Sequence, residues 1–494
     1  MERKKFIYNL SFVVVCGLII RAFGLVIKVF QTRLLNIDGM SLYQLIIPTL
    51  NLVVTVSSFG LQQAISKHVA SNKNNRSIII KSFSFSIIIS TILSIILYLI
   101  SDKLSYSLTN DDTLYYPLLS IIPLIFLISF SSIIKGYLIG NDIIDLPTFS
   151  QLFEQIIRFI ILLFLIYVFD FKDKIYLVSI LVLSLSIAEF LSLLLLIYKI
   201  SKITNITKIK INKNKELNLI LNIAFPTTIS RIINSISHFL EPLIFKYSLK
   251  HYLNTKDINL MYGIINGYTF QLLTLFSFIS YSISGIILPT ISKAYKENNY
   301  KKIKKVINYS FFITLYFSIL ITILLTLYSK EFMLLIFNTK SGSYYLKYIT
   351  IPFFLFYFQG ILIVVLHAID KSKYLLINSI ITSIIKLSLI YLLCRIPSLN
   401  SLGYIIALII TTNISFIIDY YIVRKNINYK IKFKNILKII IIIYIYIIFG
   451  LILNKLNIHF LLSSLFIFII NTSLFITYYF YNFKDSNKEK FFKS

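Results

Sequence analysis

Residues 82–100 read SFSFSIIISTILSIILYLI, a stretch without a single charged side chain. A membrane helix needs about 20 mostly apolar residues to cross a hydrocarbon core about 30 Å thick. This stretch is long enough to span a bilayer, and similar stretches recur from one end of the chain to the other. The sequence therefore predicts an all-α polytopic membrane protein.

The composition favours the same class of protein. Of the 494 residues, 57% are hydrophobic and 14% are charged, whereas a soluble domain has about 45–50% apolar and about 25% charged residues. The two cysteines, Cys16 and Cys394, have neither the spacing of a disulfide framework nor that of a metal finger. We expect no metal site and no cofactor.

The apolar stretches divide the chain into fourteen predicted spans. An even number of spans places both termini on the same side of the membrane. The spans lie at about 6–32, 41–66, 82–100, 113–134, 149–169, 175–198, 217–245, 259–291, 306–328, 348–369, 374–394, 401–423, 439–453 and 456–483.

The net charge of +29 arises from 49 lysines and arginines against 20 acidic residues. In a soluble protein such a charge would favour a nucleic-acid partner. With a cytoplasmic N-terminus, however, the inside segments hold 32 of the cations and the outside segments 12. This is the distribution that the positive-inside rule predicts. We expect a multi-pass plasma-membrane protein with both termini cytoplasmic, membrane lipids as partners and no nucleic acid.

An internal repeat predicts two lobes. Three polar residues of the first span, Arg21, Lys28 and Gln31, align at a constant offset of 210 with Arg231, His238 and Glu241 in the seventh. Similar short motifs after later spans align at offsets of 226 to 228. Lobes with an even number of spans share one topology, so an axis along the membrane normal would relate them around a central cavity. The predicted parts are an N-lobe at 1–200 (spans 1–6), a basic cytoplasmic linker at 201–216, a C-lobe at 217–425 (spans 7–12), and an extra helix pair with a basic cytoplasmic tail at 426–494.

The cations inside the spans are the first candidates for a binding site. A charge at the bilayer centre costs at least about 2.5–3.5 kcal/mol, so such a group usually faces protein or a water-filled cavity. Arg21 and Lys28 share one face of their helix, because they lie seven residues apart. Guanidinium and ammonium groups both suit phosphate oxygens. A structural role, in which they pair with acids between helices, stays open. The cations are Arg21, Lys28, Arg158, Arg231 and Lys386.

In the seventh span, Arg231 and His238 share a face in the same way, and Glu241 follows three residues later. We predict that Arg21, Lys28, Arg231 and His238 line a cationic cavity, and that Glu241 serves either an ion pair or a coupling cation or proton.

We expect different roles for the other acidic residues within the spans. Glu154 lies four residues before Arg158, the favourable order for a helical ion pair, so these two are assigned to an ion pair or to coupling. Glu189 and Asp419 lie towards the cytoplasmic ends of their spans, and we expect them to be solvated.

Helix geometry adds two further predictions. Pro48 and Pro226 each remove a backbone hydrogen bond from a span expected to line the cavity, so they are hinge candidates. Proline is, however, common in membrane helices in general. Gly136 and Gly140 form a small-xxx-small pattern, which favours close packing between helices.

Several motifs together resemble a known family. Arg21-Ala-Phe-Gly-Leu-Val-Ile-Lys28 and Pro147-Thr-Phe-Ser-Gln-Leu-Phe-Glu154-Gln-Ile-Ile-Arg158 are similar to stretches of the oligosaccharide-flippase-like family of stage V sporulation protein B. That family lies within the multidrug/oligosaccharidyl-lipid/polysaccharide exporter superfamily. Further agreement lies around Pro226, Arg231 and Glu241.

The resemblance implies a fourteen-helix, two-lobed fold and transport of lipid-linked cell-wall precursors by alternating access. It also implies a central cationic cavity in which arginines act, one of them on the first helix. Arg21 matches that position, and Arg231 is its equivalent in the repeat. Lys28 stands where the family usually has arginine, which keeps the charge but loses the bidentate fork.

We therefore predict a monomeric flippase, not an enzyme, that moves a polyprenyl-pyrophosphate-linked saccharide from the cytoplasmic to the outer leaflet. The saccharide would be a peptidoglycan or spore cortex precursor. Whether the membrane potential, Na+ or H+ drives transport stays open. One alternative is a cation-coupled small-molecule antiporter of the multidrug type. A more remote one is a membrane polysaccharide polymerase, which the short loop carrying Asp102, Asp111 and Asp112 disfavours.

Overall fold

The structure is a computed structural model that describes residues 2–71, 77–141, 143–168, 173–203, 215–275, 277–429, 448–450 and 460–483. Within these ranges the regular elements are helices and there is no strand. Eight of the described helices are long and apolar enough to cross a membrane, and shorter apolar helices accompany them. The prediction of an all-α polytopic membrane protein is confirmed. The count of fourteen spans stays a prediction, because most of 439–453 lies outside the described residues.

The helices are numbered here in chain order. They are α1 (Glu2–Ser58), α2 (Leu61–Ser71), α3 (Ser77–Thr109), α4 (Tyr115–Leu119), α5 (Ile122–Gly140), α6 (Asp145–Val168), α7 (Lys174–Ile203), α8 (Lys215–Leu249), α9 (Thr255–Ile264), α10 (Phe270–Leu275), α11 (Phe278–Lys296), α12 (Tyr300–Leu327), α13 (Ser329–Phe337), α14 (Ser343–Ile349), α15 (Phe356–Ala368), α16 (Ser372–Cys394), α17 (Leu402–Ile427) and α18 (Phe460–Phe483).

The first two predicted spans meet at a single residue rather than a loop. Asn36 has φ 56° and ψ −170° inside α1, and it breaks the helix there. Asparagine tolerates the left-handed region better than most residues do. A second break follows at Phe59 and Gly60, both with positive φ, so the predicted span 41–66 is divided between α1 and α2. Hydropathy could not show either break, because one or two residues barely change the mean of a long apolar run.

Asparagine and aspartate end many of the described helices. At these positions the backbone takes a positive φ, which satisfies the end of a helix in the way that glycine does in most proteins. The short polar side chain can bond locally and reduces the penalty of the left-handed region. The residues are Asn110, Asn298, Asn338, Asp370 and Asn428.

The predicted span 259–291 is also interrupted. It consists of α9, a π-helical turn at Ile265–Thr269, α10 and α11. A π-helical turn widens the helix and frequently marks a functional site. The turn carries Asn266, which belongs to the site described below.

The chain forms two compact units. The first contains Met1–Tyr268 and Ser379–Ala407, and the second contains Thr269–Asn378 and Leu408–Ser494. These units reflect packing within each of them, whereas the predicted lobes rest on a sequence repeat. The division into lobes therefore stays a prediction.

In the first unit α2 packs closely on α5. The apolar core there consists of Leu61, Ala64, Ile65, Val69 and Ile133. A Cβ atom on either of two glycines of α5 would lie 2.7 Å from a neighbouring atom: Gly136 faces the carbonyl oxygen of Gln62, and Gly140 faces Val69 Cβ. The close packing predicted from the small-xxx-small pattern is confirmed.

In the second unit α12 packs against α18. Ile319, Leu320, Ile323 and Tyr328 form one buried cluster with Ile467. This contact attaches the C-terminal hydrophobic helix to the rest of the second unit.

One lysine joins the ends of three helices in the first unit. The Nζ of Lys246, on α8, donates to the carbonyl oxygen of Ser107 at 2.6 Å and to Oδ1 of Asn110 at 2.7 Å. Asn110 Nδ2 donates in turn to Thr255 Oγ1 at 2.6 Å. The last carbonyls of a helix have no partner within it, so Lys246 stabilises the end of α3 and fixes α8 and α9 beside it.

A glycine substitution tests the packing of α9 on α1. A Cβ on Gly263 would lie 2.3 Å from Ser41 Cα, whereas one on Gly24 would have nothing within 4 Å. We expect Gly263→Ala to destabilise the protein by about 1–3 kcal/mol, the usual cost of overpacking. Thermal unfolding in detergent measures this, with Gly24→Ala as the matched control. Equal unfolding temperatures for the two variants would contradict the described packing.

Candidate functional site

Glu241 is the centre of a buried polar cluster in the first unit. It lies on α8 and is 4% exposed. Lys386, from α16, forms an ion pair with its carboxylate. His238 Nδ1 lies 3.1 Å from Oε1, and the hydroxyl of Tyr404 donates to Oε2 at 3.2 Å. The carboxylate thus joins α8 to α16 and α17. We call Glu241, His238, Lys386, Tyr404 and Asn266 the Glu241 cluster.

Tyrosine and phenylalanine rings enclose one side of this cluster. The ring of Phe245 lies 5.7 Å from that of Tyr262 and 5.2 Å from that of Tyr404. All three side chains are buried. The Tyr404 hydroxyl also lies 3.1 Å from Asn266 Oδ1, so its single proton can serve the carboxylate or the amide. These rings lower the local dielectric and strengthen the attraction between Glu241 and Lys386.

A second cluster of charges lies among α5, α6 and α7. Lys135 Nζ is 3.1 Å from Glu189 Oε1, and both side chains are buried. Helix α6, which packs against α7, carries Glu154 and Arg158. We call Lys28, Lys135, Glu154, Arg158 and Glu189 the Glu189 cluster.

The expectation that Glu189 is solvated is wrong, since only 6% of it is exposed. Lys135 explains the error. By the predicted span boundaries Lys135 falls in an inside segment, but the structure places it within α5, where it neutralises Glu189 inside the protein. Asp419 is also buried, at 1% exposure. It accepts a hydrogen bond from Asn378 Nδ2 at 2.7 Å instead of being solvated.

In the described part of the chain, Arg158 and Glu154 do not form an ion pair within 4 Å. Arg158 Nε is buried without a hydrogen-bond partner, and Arg158 lies close enough to Lys28 to act on its charge. The ring of Phe159 packs against that of Phe30 at 5.5 Å, which holds α6 beside α1. Lys28 and Arg158 therefore form one positive region, in which Arg158 Nε can still donate a hydrogen bond.

The four residues predicted to bind substrate are exposed. Arg21 and Lys28 lie on α1, and Arg231 and His238 lie on α8. These two helices pack against each other. An exposed cation within a membrane span needs water or a polar ligand around it, because contact with lipid tails is costly. Substrate binding by these four residues stays a prediction.

Both hinge candidates lie within helices, and bending at them stays a prediction. Pro48 is buried in α1, and the helix continues through it. Pro226 lies within α8, and its side chain is outside the described residues. Over the same described ranges, no group of three or more His, Cys, Asp or Glu side chains is placed to hold a metal ion.

Comparison with known proteins assigns the family. Residues 6–295, more than half of the chain, match the family model described as polysaccharide biosynthesis protein. The chain belongs to this family. Residues 266–392 of this polysaccharide biosynthesis family member also match the MatE family model.

Two curated relatives of this family member come from Bacillus subtilis strain 168. Stage V sporulation protein B is 28% identical over 423 residues, which cover 83% of this chain and 82% of the relative. Sporulation protein YkvU is 26% identical over 399 residues, covering 78% and 87%. The resemblance predicted from the sequence motifs is confirmed.

Solved structures show the same fold. The lipid II flippase MurJ in an inward closed conformation has a TM-score of 0.70 at 17% identity, with 94% of this chain and 98% of that chain covered. An inward-facing multidrug resistance transporter of the MATE family has a TM-score of 0.62 at 15% identity, covering 82% and 94%. These similarities show a shared fold, and together with the apolar helices they support a multi-pass membrane protein.

Sequence reasoning missed Lys135 and Glu189 as a buried pair. Both have long apolar runs on each side, as in Ser186-Ile-Ala-Glu189-Phe-Leu-Ser-Leu-Leu-Leu-Leu196. That pattern could have shown that they lie within the membrane, but not that they pair. The partner of Glu241 was also missed, although Lys386 was recognised as a cation within a span.

A double-mutant cycle tests the Glu241–Lys386 pair. Lys386→Met leaves a buried carboxylate without its strongest partner, so we expect a loss of stability of about 3–5 kcal/mol. Glu241→Gln should destabilise the protein similarly, and the double variant should lose much less than the two single losses added together. Unfolding in detergent measures all three, and Lys373→Met, at an exposed position of the same helix, is the control. Strict additivity of the two losses would show that the pair does not interact.

Proposed function

We propose that this protein is a flippase that moves a polyprenyl-diphosphate-linked saccharide from the cytoplasmic to the outer leaflet by alternating access. The observation that carries the proposal is that each of two packed membrane helices, α1 and α8, presents an exposed arginine and a second exposed basic residue, at equivalent positions of a sequence repeat. Family membership agrees with it. So does the solved flippase of the same fold, which is named for lipid II. The relatives with named functions are transporters or flippases, and the protein is not an enzyme.

The chemistry of the four residues suits a diphosphate. Arg21 and Arg231 can each donate two parallel hydrogen bonds to phosphate oxygens. Lys28 adds a mobile point charge, and the ring of His238 is 59% exposed while its Nδ1 faces Glu241. This contact orients the ring of His238.

The buried pair explains why the site keeps its positive charge. Glu241 would otherwise neutralise a neighbouring exposed cation, but Lys386 already occupies its carboxylate. Arg231, on the same helix, is exposed. In this proposal the buried charges stabilise the helices, and the exposed charges bind the substrate.

The direction of transport determines whether the membrane potential favours movement of the substrate charge. The excess of cations in the inside segments supports cytoplasmic termini. With the cell interior negative, outward movement of uncompensated substrate charge is favoured by about 2.3 kcal/mol per charge per 100 mV. The membrane potential, Na+ and H+ are all candidate driving forces, and a monomer is sufficient for this mechanism.

A small-molecule antiporter of the multidrug type is the second candidate function. The MatE match over residues 266–392 and the fold of the multidrug transporter favour it. A drug-sensitivity assay on cells that express the protein separates the two functions. An antiporter would lower drug sensitivity in such cells, whereas a lipid-linked saccharide flippase would leave it unchanged.

Removal of the guanidinium groups tests the flippase directly. Arg21→Ala and Arg231→Ala each lose charge-assisted hydrogen bonds worth about 1.5–3 kcal/mol, so we expect outward flipping to fall about ten-fold or more. The assay follows the accessibility of a defined lipid-linked precursor at the outer leaflet of proteoliposomes. Folded yield should stay unchanged.

Two controls accompany this test. Arg424→Ala removes an exposed arginine from the last turn of α17 and should transport normally. Lys28→Arg should retain transport, whereas Lys28→Met should reduce it. Full transport by both Arg21→Ala and Arg231→Ala would overturn the assignment of the binding site.

A further inference from the structure

Three helices meet at one end of the first unit, at the end that cytoplasmic termini would place outside the cell. Helix α3 belongs to the predicted N-lobe, and α8 and α9 belong to the predicted C-lobe. We propose that Lys246, Ser107, Asn110 and Thr255 form a latch, the outer latch, which holds the two predicted lobes together at this end and must open before a substrate can leave outward. The role in transport rests on the proposed function, whereas the latch itself does not.

The outer latch is a continuous chain of hydrogen bonds between the predicted lobes. Lys246 Nζ, on α8, donates to the carbonyl oxygen of Ser107 at 2.6 Å and to Asn110 Oδ1 at 2.7 Å. Asn110 Nδ2 donates to Thr255 Oγ1, on α9, at 2.6 Å. An asparagine amide has one acceptor and two donor hydrogens, and Asn110 uses its oxygen for α8 and its nitrogen for α9. The end of α3 is therefore bound to both helices at once.

The turn after α3 holds the latch residues of that helix in place. Asn110 has a φ of 63° at the end of α3. The hydroxyl of Ser105 donates to the carbonyl oxygen of Asp111 at 2.8 Å and accepts from the backbone N–H of Leu114 at 3.0 Å. These bonds attach the turn to its own helix, so Ser107 and Asn110 move together with α3.

The chemistry of the outer latch allows it to open. Lys246 is only 8% exposed, so its ammonium has lost most of its water. Among the described residues no carboxylate forms an ion pair with it within 4 Å. Neutral carbonyl and amide oxygens compensate the buried charge less than a carboxylate would. When the helix ends separate, the ammonium regains water, which offsets much of the loss of these bonds.

A second contact between the predicted lobes lies near the same end. Helix α9 packs so closely on α1 that a Cβ atom on Gly263 would lie 2.3 Å from Ser41 Cα, and the hydroxyl of Tyr268 lies 3.5 Å from the carbonyl oxygen of Thr32. Thr32 and Ser41 lie on either side of the predicted outer loop between the first two spans. The structure thus has this end of the first unit closed, with α9 held by both α1 and α3.

Two substitutions should shift the latch in opposite directions. Lys246→Met keeps most of the length of the side chain and removes its charge-assisted hydrogen bonds. Asn110→Asp places a carboxylate beside the ammonium without a change of shape, so an ion pair replaces a bond to a neutral amide and the latch holds more tightly. Lys250→Met removes an exposed lysine four residues further along the chain and is the matched control.

The first measurement needs no substrate. Spin labels on Lys103→Cys and Asp257→Cys, two exposed positions on α3 and α9, report the separation of these helix ends in proteoliposomes. The native cysteines Cys16 and Cys394 are buried and are replaced by alanine in every variant.

We expect the fraction of molecules with the longer separation to rise about ten-fold or more in Lys246→Met, because hydrogen bonds to a charged group are lost. The same fraction should fall in Asn110→Asp and stay unchanged in Lys250→Met. Identical distance distributions in the wild-type protein and Lys246→Met would overturn the latch, whatever the protein transports.

The second measurement asks whether transport requires the latch to open. Asn110→Cys and Thr255→Cys together place two thiols where the native side chains are in contact, and a short, reducible thiol cross-linker joins them. We expect outward flipping of a defined lipid-linked precursor to fall about ten-fold or more on cross-linking and to recover on reduction. Full flipping by the cross-linked protein would overturn the role of the latch in transport.

The two proposals fail in different ways. Absence of flipping by the wild-type protein would overturn the proposed function, and the distance measurement would still decide whether Lys246 holds α3 to α8 and α9.

Discussion

The buried ion pair between Glu241 and Lys386 is the interaction on which the candidate site depends. Moving either charge from water into the protein interior costs several kcal/mol, and removal of one partner leaves that cost uncompensated. The pair is surrounded by Tyr262, Phe245 and Tyr404, so little water can screen it. Because Glu241 is on α8 and Lys386 is on α16, the pair fixes the helix that presents Arg231 and His238.

The Lys135–Glu189 pair follows the same rule in α5 and α7. In both clusters a buried cation forms an ion pair with a buried acid. The cations nearby on α1, α6 and α8 are not members of these two pairs. The paired charges hold helices of the first unit together.

Prediction from the sequence succeeded where the signal is local. The helical membrane class followed from runs such as 82–100, and the close packing at Gly136 followed from its spacing with Gly140. It failed at Glu189 and Asp419, which were expected to be solvated because they lie near the ends of apolar runs. Hydropathy averages over many residues and shows which segments lie within the membrane. It contains no information on which neighbours cover a side chain. For the same reason it gave no sign of the break at Asn36.

The sequence by itself determined that this chain spans a membrane and which residues carry charge within the apolar stretches. These properties depend on the length and composition of continuous segments, which a single chain displays directly. Only the tertiary structure decided which charges are paired. Lys135 and Glu189 are 54 residues apart, and Glu241 finds Lys386 on a distant helix, so no spacing rule connects them. The choice between a structural and a binding charge is made by packing, because a charge can bind a ligand only if no neighbour has already neutralised it.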